Sequence, residues 1–215
     1  WTETNGAVRW TDRESGVERL IENSPIGDVR VPRRAFYQVN VGAGDLLVSY
    51  ISELIKQQAP TYLIDFYCGV GLFSLAAAQH GVPHVFGVER QSFAVRAAIQ
   101  NAKAMKVRPE FVSADVDALA EDSLKQVDGS ETMVIVDPPR QGLEKAFLET
   151  LISARPQCVA YVSCAADTLA RDLRVLTESA YEVVNCQLID MFPRTPHFES
   201  VTVLKSKAEI GKAES

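Results

Sequence analysis

The sequence predicts an open, doubly wound α/β domain on a mostly parallel seven-stranded sheet, with an antiparallel last strand and a short N-terminal β arm. Three observations predict it. The run 61–66 is apolar and β-leaning and ends in Asp65-Phe66; Gly69 and Gly71 follow, then an Ala/Leu-rich helical stretch, which together make strand, tight turn and helix. After Pro60, strands at 61–66, 84–89, 109–113, 132–136 and 157–162 alternate with helices at 72–80, 91–105, 144–154 and 167–178, an order that gives parallel strands with right-handed crossovers. The runs 181–190 and 200–205 then follow as strands with no helix between them, so they close the sheet as an antiparallel pair.

Taken from the start, residues 1–38 are short, alternating and polar and are read as an arm. Within it, 7–10 and 17–21 are expected to pair as a hairpin across 12–16. The stretch 29–34 carries Arg30, Arg33 and Arg34 and reads either as a solvated loop or as a phosphate-contacting edge. The main domain spans 39–206 and opens with a helix over 42–58, where Leu46, Leu47, Tyr50, Ile51 and Leu54 recur at helical spacing and Pro60 stops it. Residues 207–215 are read as a flexible polar tail.

Of 215 residues, 47% are hydrophobic and 23% charged, ordinary for a soluble domain with a core. The first residue is Trp1, which reads as a segment of a longer protein. No bilayer-spanning run or signal peptide is visible, and the four cysteines (Cys68, Cys158, Cys164, Cys186) show no Cys-x-x-Cys spacing, so neither a metal nor an iron–sulfur cluster is expected. Free thiols point to a reducing, cytoplasmic setting. The net charge of −6 excludes a basic nucleic-acid clamp; RNA can be a partner only if positive charge is local or lies on another domain.

The candidate site residues sit at strand ends, where open α/β sheets bind ligands. Gly69 and Gly71 lack a Cβ, so the backbone can turn sharply and approach a ligand closely; the third glycine of a dinucleotide fingerprint is replaced by Ser74. Glu89 ends the next strand, roughly 20 residues on, where a carboxylate accepts hydrogen bonds from ribose hydroxyls. That geometry serves NAD and S-adenosylmethionine alike. Asp115 follows the strand 109–113 as an adenine contact or as a helix N-cap. Asp137-Pro138-Pro139-Arg140 leaves the strand 132–136 rigidly, holding Asp137 in place and offering the Arg140 fork to phosphate or carboxylate. Cys164 lies past a strand end and near a helix N-terminus, where the field favours thiolate, although a buried inert cysteine fits too. Cys68, inside the glycine turn, reads as a small packing residue. In the proline-braced stretch 191–200, Glu199 is a candidate base and His197 could orient it or touch substrate.

Five motifs occur in order: Phe-x-Gln-Val-Asn at 36–40, Asp-x-Tyr-Cys-Gly-x-Gly at 65–71, Asp-Pro-Pro-Arg-x-Gly at 137–142, Tyr-Val-Ser-Cys at 161–164 and Phe-Pro-x-Thr-x-His-x-Glu at 192–199. Together they resemble the RNA 5-methyluridine methyltransferase family, which modifies tRNA and 23S rRNA uridines, and the match covers roughly residues 30–205. The resemblance implies a Rossmann-like class I methyltransferase domain over 39–206, with S-adenosylmethionine as methyl donor and RNA as substrate. It implies Cys164 as nucleophile and Glu199 as general base. It also implies cofactor contacts at Gln38, Tyr67, Glu89, Asp115 and Asp137. Family members often carry Asn where Leu72 stands. They usually add an N-terminal RNA-binding β-barrel, and some a four-cysteine iron–sulfur site; residues 1–38 read as the remnant of a central subdomain, and RNA affinity is expected to come mainly from a missing part. Two other readings remain: a base-amine methyltransferase, which leaves Cys164 and Glu199 without a task, and a non-catalytic S-adenosylmethionine-binding module.

Overall fold

In the computed structural model, which describes residues 2–4, 7–11, 18–32, 35, 40–191, 193–195 and 198–213, the strand–helix alternation builds a sheet covered on both faces. Its strands are β5 (Tyr62–Phe66), β6 (His84–Glu89), β7 (Glu110–Ser113), β8 (Thr132–Val136), β9 (Cys158–Ser163), β10 (Tyr181–Ile189) and β11 (Glu199–Ser206). They run in the order β10-β11-β9-β8-β5-β6-β7. The β5 to β9 pairs are parallel, whereas β11 is antiparallel to both β9 and β10. The doubly wound reading and the antiparallel closing pair are both present.

The period-2 alternation of each strand sorts side chains into two cores. Leu63, Met133, Ile135, Ala160 and Val201 pack against α1 (Val41–Gln58), α2 (Leu72–Gln79) and α3 (Ser92–Met105). Ile64, Phe66, Val134, Val136 and Tyr161 pack on the other face against α4 (Val116–Lys125), α5 (Lys145–Ala154) and α6 (Ala166–Ser179). α1 begins at Asn40, whose side chain accepts from Ala43 N–H at 3.2 Å and donates to Met191 O at 3.2 Å. This capping side chain also ties the helix to the chain beyond β10.

The glycine turn is held from beneath. Asp65 is fully buried, and one carboxylate oxygen accepts from Ser74 Oγ at 2.6 Å and Ser74 N at 3.0 Å. Ser74 thus locks the first turn of α2 to β5 where a dinucleotide fingerprint would have glycine. Burial pushes Asp65 up to about 7, against the pull of the two Ser74 bonds. Gly71 has φ 87°, and a Cβ there would lie 2.8 Å from Phe111 and 3.1 Å from Ala98. Gly71→Ala therefore combines left-handed strain with a clash against the Phe111 ring. It is expected to destabilise the fold by about 2–4 kcal/mol, read as a lower urea midpoint; an unchanged midpoint would mean that Phe111 repacks freely.

The arm is a four-stranded antiparallel sheet of β1 (Thr2–Thr4), β2 (Ala7–Thr11), β3 (Glu18–Ser24) and β4 (Gly27–Pro32). The expected hairpin is there, with Val8 opposite Ile21. The solvated-loop reading of 29–34 does not hold for its first part: β4 is a strand with Val29 and Val31 buried and Arg30 exposed. The reason is α3, whose buried Asn101 accepts from Arg30 N–H at 2.9 Å and donates to Arg30 O at 3.1 Å. One amide side chain satisfies both backbone groups of a strand edge. Arg33 and Arg34 lie outside the described residues. At the other end, Lys207–Ala213, read as part of a flexible tail, forms helix α7. It is anchored where Lys207 donates its N–H to Ala180 O at 2.9 Å and its Nζ to Thr177 O at 2.8 Å.

Candidate active site

Register decides which residues meet. Phe66 stands opposite both Val88 and Val136, Val136 opposite Tyr161, and Ser163 opposite Ser200. The C-terminal ends of β5, β6, β8 and β9 and the start of β11 therefore share one edge of the sheet. The chain runs outward from β5 to β6 and β7, then returns to β8 on the other side of β5, so the topological switch point lies between β5 and β8. A cleft of about 820 Å³ opens there.

Of the residues singled out in the sequence, Tyr67, Gly69, Glu89, Asp115, Asp137, Arg140, Cys164 and Glu199 line this cleft. Gly71 is not among its lining residues and faces Phe111. Gln38 and His197 lie outside the described residues.

On the β5–β6 side, Tyr67 takes a left-handed φ of 65° without being glycine, a local strain of the kind that clusters at ligand sites. Gly69 has φ 55°, and nothing lies within 4 Å of where its Cβ would be, so its backbone faces open space. Glu89 accepts from Gly69 N–H at 3.2 Å through one carboxylate oxygen and from Gln91 N–H at 2.7 Å through the other. It thus braces the glycine turn while each oxygen keeps a lone pair for the cleft. Asp115 caps α4 by accepting from Asp117 N–H at 3.1 Å. The capping alternative is therefore present, with the residue still on the cleft wall.

On the β8–β9 side, Glu199 and Cys164 flank the Ser200–Ser163 pair and come together because β11 lies directly beside β9. Glu199 is only 5% exposed, and this desolvation pushes it up to about 7 against the opposing pull of Arg140. Asp137 is held well above the usual carboxylate range by burial, with Glu199 and Asp65 adding to it. The field at the start of α6 was expected to lower the Cys164 thiol. Instead burial and the Glu199 carboxylate raise it, Asp137 adds to this, and the Arg140 guanidinium beside it pulls the other way.

The sequence reading missed Gln91, Asp117 and Glu144, which also line the cleft. Asp117 and Glu144 begin or precede helices and read as ordinary first-turn acids. Six carboxylates (Glu89, Asp115, Asp117, Asp137, Glu144, Glu199) and two guanidiniums (Arg90, Arg140) face the cleft among the described residues. Among those residues, no group of three or more His, Cys, Asp or Glu could hold a metal ion. No helix there is long and apolar enough to cross a membrane.

A family model described as tRNA (uracil-5-)-methyltransferase matches residues 23–207. The chain belongs to this family. Its tRNA (uracil-5-)-methyltransferase relatives include a solved structure, the tRNA (uracil-54, C5)-methyltransferase of Pyrococcus abyssi in complex with S-adenosyl-L-homocysteine. That structure superposes with a TM-score of 0.70 at 31% identity, over 95% of this chain and 45% of that one. An uncharacterized RNA methyltransferase of Halalkalibacterium halodurans is 39% identical over 197 residues, 85% of this chain and 40% of the relative. One of Bacillus cereus is 40% identical over 187 residues, 86% and 40%. The chain thus spans about 40% of the length of the curated relatives it matches. A SAM-dependent methyltransferase of Agrobacterium tumefaciens, 12% identical with a TM-score of 0.67 over 95% of this chain and 76% of that one, shares the fold.

Proposed function

We propose that this protein transfers a methyl group from S-adenosylmethionine to C5 of a uridine in RNA, through a covalent bond between Cys164 and C6 of the base. The observation that carries the reading is the pairing of Ser163 with Ser200, which sets a thiol and a carboxylate titrating near 7 side by side in the cleft. A base-amine methyltransferase has no use for that pair, and neither does a binding module.

The cleft fits the donor. Even with Asp137 held toward its neutral form, the five other carboxyls outnumber the two guanidiniums, which suits a cation carrying sulfonium and ammonium groups and disfavours a dinucleotide pyrophosphate. Glu89 offers its free lone pairs to the ribose hydroxyls, Gly69 lets the ligand approach the backbone, and Tyr67, Asp115 and Asp137 complete the contacts, with Gln38 of the preceding segment. When bound, S-adenosylmethionine supplies an electrophilic methyl group.

C5 of uracil is a poor nucleophile. Cys164 corrects this by adding its thiolate to C6: the S–C6 bond forms and the C5=C6 electron pair moves toward C5 and O4. C5 would then take the donor's methyl group as the methyl–sulfur bond breaks, leaving a neutral thioether. Glu199 removes the proton from C5, the C5=C6 bond reforms, and the S–C6 bond breaks. Arg140 stabilises the thiolate and offers a donor fork to RNA phosphate, with His197 as a further substrate contact. A net charge of −6 leaves most RNA affinity to sequence outside this chain, with residues 1–38 as an arm of a neighbouring subdomain. Incorporation of labelled methyl into unmodified tRNA and rRNA tests the whole reading; incorporation at a base amine, or none by an RNA-binding full-length parent, would overturn it.

Glu89 makes a separate prediction. Glu89→Ala is expected to weaken binding of S-adenosylmethionine about 10- to 100-fold, as loss of a charge-assisted hydrogen bond would. Glu89→Gln keeps one acceptor and should fall between the two. Calorimetry giving wild-type affinity for both variants would place the ribose contact elsewhere.

A further inference from the structure

Asp172, fully buried on α6, takes no part in the steps above. One oxygen accepts from Leu143 N–H at 2.8 Å and Tyr161 O–H at 2.7 Å; the other accepts from Arg171 Nε at 2.8 Å. The Arg171 guanidinium reaches on to the carbonyls of Gln141 at 2.9 Å and Leu143 at 3.2 Å. Thr168, one turn earlier, donates to the Arg140 carbonyl at 3.0 Å. Gly142 lies so close that a Cβ would come 2.6 Å from the Asp172 carboxylate and 2.8 Å from Arg171 Nη2. α6 therefore grips the backbone of residues 140–143, and the same helix begins just after Cys164. A buried carboxylate with these donors is costly to leave unpaired, so the grip is stiff.

We propose that Asp172 is a positioning residue: by fixing residues 140–143 it holds the Arg140 guanidinium beside the Cys164 thiol and so sets the reactivity of that thiol. The groups facing the thiol are Glu199 from β11, and Asp137 and Arg140 from the chain after β8; of these Arg140 alone favours the thiolate. The catalytic consequence rests on the role proposed for Cys164, but the positioning is measurable without methyl transfer.

The test is the pH dependence of iodoacetamide alkylation at Cys164 in the full chain. Mass spectrometry must resolve the site, because Cys186 is exposed whereas Cys164 is half-buried. Arg140→Ala is expected to raise the midpoint by about one pH unit and slow alkylation near neutrality about tenfold. In Asp172→Asn the amide cannot accept at both ends, so one of the grips is lost. The midpoint should move the same way, with alkylation slowed about three- to tenfold, and the double variant should be no slower than Arg140→Ala alone. Thr168→Val removes the bond to the Arg140 carbonyl, together with a longer one to Ala165 O within its own helix end, and should slow alkylation about two- to threefold; it carries the test if Asp172→Asn fails to fold. A wild-type profile in folded Asp172→Asn, or in Thr168→Val where Asp172→Asn does not fold, overturns the proposal, as does a wild-type profile in Arg140→Ala. A shifted profile combined with an RNA adduct that persists in Cys164→Ala would remove the catalytic role of the thiol and leave its positioning by Asp172 standing.

Discussion

Replacing Glu199 by Gln is expected to leave the protein joined to its RNA. The amide cannot accept the C5 proton, yet nothing in the earlier steps needs it to. Removing the Glu199 charge also removes a group that raises the Cys164 thiol, so adduct formation should be as fast as in the wild type or faster. Methyl transfer follows, and the sequence then stops, because the thiolate cannot leave until C5 loses its proton. Turnover should fall by about 10³–10⁴-fold, the upper range for loss of a general base. A labelled-methyl, cysteine-linked RNA should run as a slow band on a denaturing gel. Cys164→Ala should give neither band nor product. Normal turnover by Glu199→Gln would move the base elsewhere. Asp137 is then the next candidate to test, still held above the usual carboxylate range by burial and the Asp65 carboxyl once the Glu199 charge is gone.

The second large effect is on pH dependence. Glu199 titrates near 7 and the Cys164 thiol lies above its ordinary value. Both must be deprotonated to act, and both raised values mean that the active forms are lost as pH falls. In single turnover, wild-type adduct formation should therefore drop about tenfold per pH unit below 7 through the thiol, and the later release of methylated RNA about tenfold per unit through Glu199. Glu199→Gln should keep the first dependence and lose the second. A wild-type rate that is flat from about pH 6 to 8, with chemistry rate-limiting, would contradict the assignment of both groups.

Most of the sheet was legible because each strand from 61 onward is a short apolar run between turn residues and the helices carry strong apolar periodicity. What was lost had no such signal. Arg30 sits between Val29 and Val31, and only the docking of α3 through Asn101 shows that the two valines point inward. α4 is signalled only through Asp115 as a possible N-cap; its buried Val116, Ala120 and Leu124 do fall at helical spacing, but they are sparse in a polar stretch. At the site, motif order placed Cys164 and Glu199 together, but burial sets their titration, and burial is a property of the assembled cleft. The rise of the Cys164 thiol, opposite to the direction read from its helix terminus, is such a case. Asp172 was invisible for the same reason: beside Arg171 in a helix it looks like a solvated ion pair, and its bonds to Leu143 and Tyr161 cross from α6 to other elements.

The place of β11 in the sheet has a consequence for how the site comes into being. β10 pairs with β11 alone, so the two can form as a local hairpin, a fast event on the microsecond scale, before either touches the rest. The β9–β11 ladder, which sets Ser163 against Ser200, is the non-local step and so the slower one. A ribosome that has released the chain only just past β9 has exposed Cys164 before Glu199 is available. In the roles proposed above, the thiol meets its base only when the β10–β11 hairpin docks, so the pair forms later than either of its members.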